Sequence, residues 1–136
     1  MQKDFMEEAI KEAKKGKNIQ EVPVGAIIVK DGKIISKAHN TVEKTRNVFS
    51  HAEVNAIIKA AKIMGNWRMD GCELYVTLEP CKMCKEVIKR ARIKKIYYGI
   101  KNKEYELKKN IYIESKDSSQ KKRIIKLLEL FFESKR

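Results

Sequence analysis

Two short stretches, Ser50-His51-Ala52-Glu53 and Thr77-Leu78-Glu79-Pro80-Cys81-Lys82-Met83-Cys84, hold one of the two histidines and two of the three cysteines in this chain. Together they offer an imidazole, two thiolates and a carboxylate two residues from the histidine. One nitrogen and two sulfurs suit zinc among the common biological metals. Three protein ligands leave a fourth position for water, the layout of a catalytic site, and a nearby acid or base can handle that water's protons. A closed structural site would need a fourth ligand, and His39 and Cys72 do not fall at finger-like spacing from the others. Each piece also has an ordinary reading. Ser50-x-x-Glu53 is a capping-box pattern, and Cys81-x-x-Cys84 alone is equally a redox pair or half of a structural zinc site.

The ligands must be brought together by their elements. Phe5, Met6, Ala9, Ile10 and Ala13 recur at helical spacing, so residues 3–15 read as an amphipathic helix ended by Gly16. Val22 to Val29 reads as a strand, with Asp31-Gly32 as a hairpin turn and Lys33 to Ala38 as the returning strand. Gly25 within the first of these marks a bulge or a close approach of backbone or ligand, which would put that strand near a pocket. Residues 39–49 lack a period and read as a loop. Ser50 then opens a helix closed by Gly65-Asn66, with His51 in its first turn.

Glu73 to Thr77 reads as a strand. It leads into a helix with Pro80 at its start and Cys81 and Cys84 in its first turns, where a helix N-terminus favours thiolates. Lys94 to Ile100 follows as a strand, so strand-helix-strand implies a parallel crossover. Two helix N-termini meeting over the edge of that sheet would unite His51, Cys81 and Cys84. Asn110 to Glu114 reads as a fifth strand. From Ser118-Ser119 a long helix carries Ile124, Ile125, Leu127, Leu128, Phe131 and Phe132 as one broad apolar face.

At 136 residues, 43% of them apolar, the chain suits a single domain spanning 1–136 with a packed core. Its start lacks an apolar signal segment, and no apolar run approaches the roughly 18 residues of a membrane span. These features, with a Cys-x-x-Cys pair better suited to metal or redox chemistry than to a disulfide, lead us to expect a cytoplasmic protein without a membrane partner. The formal charge is +13, from 31 basic and 18 acidic residues, and a field of that sign concentrates polyanions.

His51-x-Glu53 together with Pro80-Cys81-x-x-Cys84 matches the signature of zinc nucleobase deaminases. Glu21-Val22-Pro23-Val24-Gly25-Ala26, His39-Asn40, Asn66-Trp67-Arg68 and Leu74 to Cys84 extend the likeness. The chain resembles the bacterial tRNA adenosine deaminases, within the cytidine and deoxycytidylate deaminase superfamily, densely from about residue 5 to 100. The resemblance implies an α/β, cytidine-deaminase-like three-layer α/β/α sandwich with a five-stranded mixed sheet. It also implies a homodimer, one zinc ion per chain, and hydrolytic conversion of the wobble adenosine of a tRNA anticodon loop to inosine with release of ammonia. On that resemblance His51, Cys81 and Cys84 fall on the zinc ligands and Glu53 on the proton shuttle. Asn40 and Ala52 fall on groups that bind the base.

The departures lie where such enzymes meet RNA. Asn47-Val48-Phe49-Ser50 replaces an acidic-Pro-Thr-Ala run, and Lys101-Asn102-Lys103-Glu104-Tyr105-Glu106 replaces an aspartate and glycine-rich segment. The candidate RNA contacts are Arg46, Lys101, Asn102, Lys103 and Phe132. The alternatives are a deaminase of a free base or nucleoside, such as guanine or cytosine, and a catalytically silent RNA-binding module. An intact Glu53 argues against the silent module, which has no use for that carboxylate.

Overall fold

The computed structural model describes residues 4–102 and 111–134. The elements in chain order are α1 (Phe5–Asn18), β1 (Gly25–Lys30), β2 (Lys33–His39), α2 (Val42–Thr45), α3 (Ala52–Met64), β3 (Cys72–Leu78), α4 (Lys82–Arg90), β4 (Lys95–Ile100), β5 (Ile111–Glu114) and α5 (Ser118–Ser134). The sheet order is β2-β1-β3-β4-β5. β1 pairs antiparallel with β2 and β3, whereas β3, β4 and β5 run parallel, so the sheet is mixed as expected.

Both faces of the sheet are covered, which explains the unbroken apolar run of β1. Ala26 and Ile28 face a core built with α3 and α4, while Ile27 and Val29 face a second core built with α1 and α5. On the first side Ala52, Ala56 and Ala60 are fully buried, and their small side chains let α3 lie close to the strands. On the second side Phe5, Tyr75 and Tyr97 form a run of ring contacts, with Tyr75 and Tyr97 stacked at 4.5 Å. The result is the expected α/β/α sandwich. Among the described residues no helix is long and apolar enough to cross a membrane.

The Asp31-Gly32 turn forms with both residues at positive φ, 52° and 74°, as a tight two-residue hairpin requires. Three local expectations are corrected and one is narrowed. Gly16 does not end α1, which continues to Asn18; the reversal falls at Gln20, at φ 64°. Of the alternatives read for Gly25 the close approach of backbone holds, since a Cβ there would sit 1.9 Å from the Ala9 carbonyl oxygen of α1; the bulge lies instead at Ile28/Val29. The stretch read as a loop contains the one-turn helix α2. The apolar face of α5 is split, with Ile124 and Phe131 buried but Ile125 and Phe132 exposed.

α5 is fastened to α1 by polar contacts at its first half. Arg123 grips Glu7 through both guanidinium nitrogens at 2.6 and 2.9 Å, and the Gln120 amide donates to Asp4 and Glu7. The hydrogen bond from Arg123 holds the Glu7 carboxyl at about 2, outweighing the opposing effect of burial. A carboxylate bound only in the folded state contributes in full above its ordinary value of 4.5 and loses that contribution as pH falls towards about 2. Arg123→Met is therefore expected to lower stability near neutral pH and to flatten the acid loss within that window, as read by chemical denaturation at a series of pH values.

Candidate metal centre

β3 and β4 end side by side, and the chain leaving β3 passes through Glu79 and Pro80 into α4. Cys81 is the N-cap of α4 and Cys84 lies in its first turn, so Pro80 stands outside the helix rather than at its first position. Likewise His51 is the N-cap of α3, at φ −71° and ψ 156°, instead of lying within the first turn. The Ser50–Glu53 capping box does not form: Ser50 precedes the N-cap, and its hydroxyl accepts from Thr45. Neither N-cap side chain, His51 or Cys81, is spent on a capping hydrogen bond, and both helices point their N-termini to one place at the C-terminal edge of the parallel strands.

His51 Nδ1 lies 3.6 Å from Cys81 Sγ and 3.4 Å from Cys84 Sγ, and all three ligand atoms fall within 4.8 Å of one another. A tetrahedral zinc ion, with Zn–S about 2.3 Å and Zn–N about 2.0 Å, separates nitrogen from sulfur by roughly 3.5 Å. The donor set and its spacing therefore fit zinc, held by His51, Cys81 and Cys84. Among the described residues this is the one such cluster of His, Cys, Asp and Glu.

Electrostatics agree. The hydrogen bond from Cys84, followed by that from His51, brings the Cys81 thiol down to about 4. Cys84 is pushed up by its bond to Cys81 and by burial, and His51 is raised by its bond to Cys81. Cys84 and His51, each held towards its protonated form, thus oppose metal binding, while the depressed Cys81 favours it. An incoming ion displaces those protons, so metal binding weakens at low pH. Glu53, two residues on, is 4% exposed, and burial pushes its carboxyl up to about 7 against the pull of helix amides and of His51.

These residues open onto a cavity of about 700 Å³ lined by Asn40, His51, Glu53, Cys81, Asn102 and Phe131 among others. Asn40 and Ala52 meet directly: the Ala52 N–H donates to Asn40 Oδ1 at 2.7 Å, which leaves the Asn40 amide nitrogen for a ligand. Arg46 is exposed at the left-handed C-cap of α2. Asn102 lines the cavity, whereas Lys101 is exposed with its amine 4.0 Å from Glu114. Lys103 lies outside the described residues. Phe131 lines the cavity; Phe132, the candidate RNA contact, meets Phe131 edge-on at 5.2 Å and is 53% exposed.

Three positioning residues escaped the sequence reading. Asn55, one turn into α3, donates to the His39 carbonyl, Thr41 Oγ1 and the Ser50 carbonyl, tying the Asn40 segment to the helix that carries His51. Glu21, fully buried, accepts the Glu43 and Lys44 amides at the start of α2. Lys85, also buried, pairs with Glu79 at 2.9 Å, and Glu79 holds the Asn102 N–H at 3.0 Å. Only capping patterns and buried charge could have pointed to them, and burial is not visible in one sequence.

Residues 1–100 match the cytidine and deoxycytidylate deaminase zinc-binding region. The tRNA-specific adenosine deaminase of Bacillus subtilis (strain 168) is 47% identical over 95 residues, which are 70% of this chain and 59% of that protein. The chain thus spans about three-fifths of that relative's length. A structure from work on A-to-I editing by tRNA:A34 deaminases superposes with a TM-score of 0.81 at 33% identity, covering 88% of this chain and 97% of the other. The guanine deaminase of Bacillus subtilis superposes with a TM-score of 0.68 at 41% identity, covering 71% and 62%.

Removal of one sulfur ligand is the direct check on the metal centre. Cys84→Ala is expected to reduce bound zinc from one per chain to well below that in elemental analysis. It is also expected to abolish the drop in melting temperature that a chelator causes in the parent protein.

Proposed function

The chain belongs to the cytidine and deoxycytidylate deaminase family, and we propose that it is a zinc-dependent hydrolase converting the wobble adenosine of a tRNA anticodon loop to inosine with release of ammonia. The observation that carries this reading is the buried Glu53 beside the His51, Cys81 and Cys84 cluster, at the head of a cavity that Asn40 also lines. The shared likeness to adenosine deaminases that act on tRNA supports the choice of substrate.

Zinc, when bound, supplies a water acidified for attack on the carbon bearing the amine. Glu53 moves the protons: it takes one from the water, delivers it to the ring nitrogen, and later protonates the departing amine. A carboxyl raised towards neutrality by burial suits a group that must both gain and lose a proton in each cycle. Asn40, its oxygen held by the Ala52 amide, keeps its Nδ2 turned to accepting atoms of the base. Phe131, Val24 and Leu78 give the cavity apolar surface against which a base can rest. A base stacked within a helix cannot enter such a cavity, so a loop nucleotide is the suitable form of RNA.

Arg46, Lys101, Asn102, Lys103 and Phe132 are the RNA contacts of this reading, with Phe131 added. The enzyme acts in the cytoplasm as one domain spanning residues 1–136 and as a homodimer; the exposed Phe49, Ile58 and Ile63 on and before α3 support pairing through that side. A second reading, deamination of a free purine, draws on the likeness to a guanine deaminase.

Incubation with an anticodon stem-loop bearing a wobble adenosine, beside free bases and nucleosides, separates the two. Inosine in the RNA is expected; turnover of a free base without it would remove the tRNA reading. Glu53→Ala should retain zinc and lose activity by a factor of about 10² to 10⁴ or more, as expected for a general acid and base.

A further inference from the structure

The end of α4 carries an arginine where helices favour glycine. Ala91 is the C-cap. The Arg92 N–H bonds the Lys89 carbonyl at 3.1 Å and the Ile93 N–H bonds the Ile88 carbonyl at 3.2 Å, the paired closure that requires a left-handed residue after the cap. That residue is Arg92, at φ 69°. In α3 the left-handed residue that ends the helix, at φ 68°, is Gly65. A Cβ is penalised in this conformation, so the arginine side chain is kept at a cost to the backbone. Strain held at one position directs attention to what that side chain does.

The Arg92 guanidinium lies 5.7 Å from the centre of the Trp67 ring, and that of Arg68 lies 5.1 Å from it. Trp67 is 54% exposed. Around it opens a cavity of about 760 Å³ lined by Lys89, Arg90, Arg92 and Lys94, with Asp70 and Glu86 as its carboxylates. Glu86 is already within 3.4 Å of Arg90. The balance is cationic, which suits a phosphate, and an exposed indole among guanidinium groups suits a base or a sugar face. Lys89 and Arg90 also serve the C-terminal dipole of α4, but that role needs no left-handed arginine beyond the cap.

None of these residues takes part in the metal centre. α4 nonetheless joins the two places, with Cys81 and Cys84 at its start and Lys89 and Arg90 at its end. Nine residues of helix are about 13 Å long. Lys82 and Lys89, seven residues apart on one helical face, are both exposed between them.

We propose that this cavity is a second RNA-contacting site, taking the sugar-phosphate backbone of the substrate RNA at a distance from the base held in the catalytic cavity. Arg92 is its principal phosphate ligand and Trp67 its stacking surface. The inference rests on the proposed RNA substrate and adds to it a set of contacts outside the anticodon loop.

Arg92→Gly tests it without threatening the fold, because glycine relieves the left-handed backbone. The variant and the parent are compared in thermal stability, and in kcat and KM on an anticodon stem-loop and on a short single-stranded loop oligonucleotide, across a salt series. The expected result is unchanged or higher stability, with KM on the stem-loop raised about threefold to tenfold at constant kcat. The salt slope of stem-loop binding should fall by about one, with little change on the short oligonucleotide. Lys94→Ala should shift KM in the same direction. An Arg92→Gly enzyme with unaltered KM and salt slope on the stem-loop overturns the proposal while leaving the RNA substrate standing. A parent enzyme that forms no inosine in either RNA overturns both.

Discussion

The structure depends on one convergence: an imidazole from the start of α3, with its Nδ1 3.6 and 3.4 Å from two sulfurs at the start of α4, all three ligand atoms lying within 4.8 Å of one another. The hydrogen bond between the two cysteines pushes the Cys81 thiol down and the Cys84 thiol up, so the three groups are electrostatically bound to one another. The fold holds them there by placing two helix N-termini over the ends of adjacent parallel strands, where partial positive charge favours thiolate. Much of the surrounding polar architecture serves the same end. Asn55 ties the Asn40 segment to α3, and the buried Lys85–Glu79 pair ties the first turn of α4 to the Asn102 loop. Breaking one partner of such a pair leaves a buried charge, so these ties are stiff.

How far the sequence was legible follows from the range of the interactions involved. The Asp31-Gly32 turn, the β3-α4-β4 crossover and the closure of α3 at Gly65 are written in local chemistry, and each forms where its pattern lies. The ligand set was legible because zinc selects residue types strongly. Where the reading left alternatives open or erred, a distant contact decided. Gly25 is small because the backbone of α1 crosses it. α2 forms in a stretch without periodicity because Glu21, from before β1, satisfies its first amides. The broad apolar face read for α5 is split because the docking of α5 on α1, through Arg123 and Gln120, sets its rotation, burying Ile124 and Phe131 and leaving Ile125 and Phe132 exposed. No adjacent residue announces any of these.

The metal centre and the rim of its cavity are built from different parts of the molecule. The metal ligands, Glu53 and Asn40 lie on or beside α3, β3 and α4, the well-packed centre of the sheet. The cavity rim instead comes from α2, the Asn102 loop and the end of α5, connecting pieces held by a few polar contacts. Such a division lets rims of different shape surround one kind of metal centre, which accords with structural likeness to both a tRNA:A34 deaminase and a guanine deaminase.

The central claim, that three protein ligands hold zinc and leave one position to solvent beside Glu53, is tested most directly by X-ray absorption at the zinc edge on the purified protein. Two sulfurs at about 2.3 Å and two lighter atoms at about 2.0 Å, one of them an imidazole nitrogen, are the expected coordination. A shell of three or four sulfurs, or of two sulfurs with two imidazoles, would mark a closed structural site and contradict it.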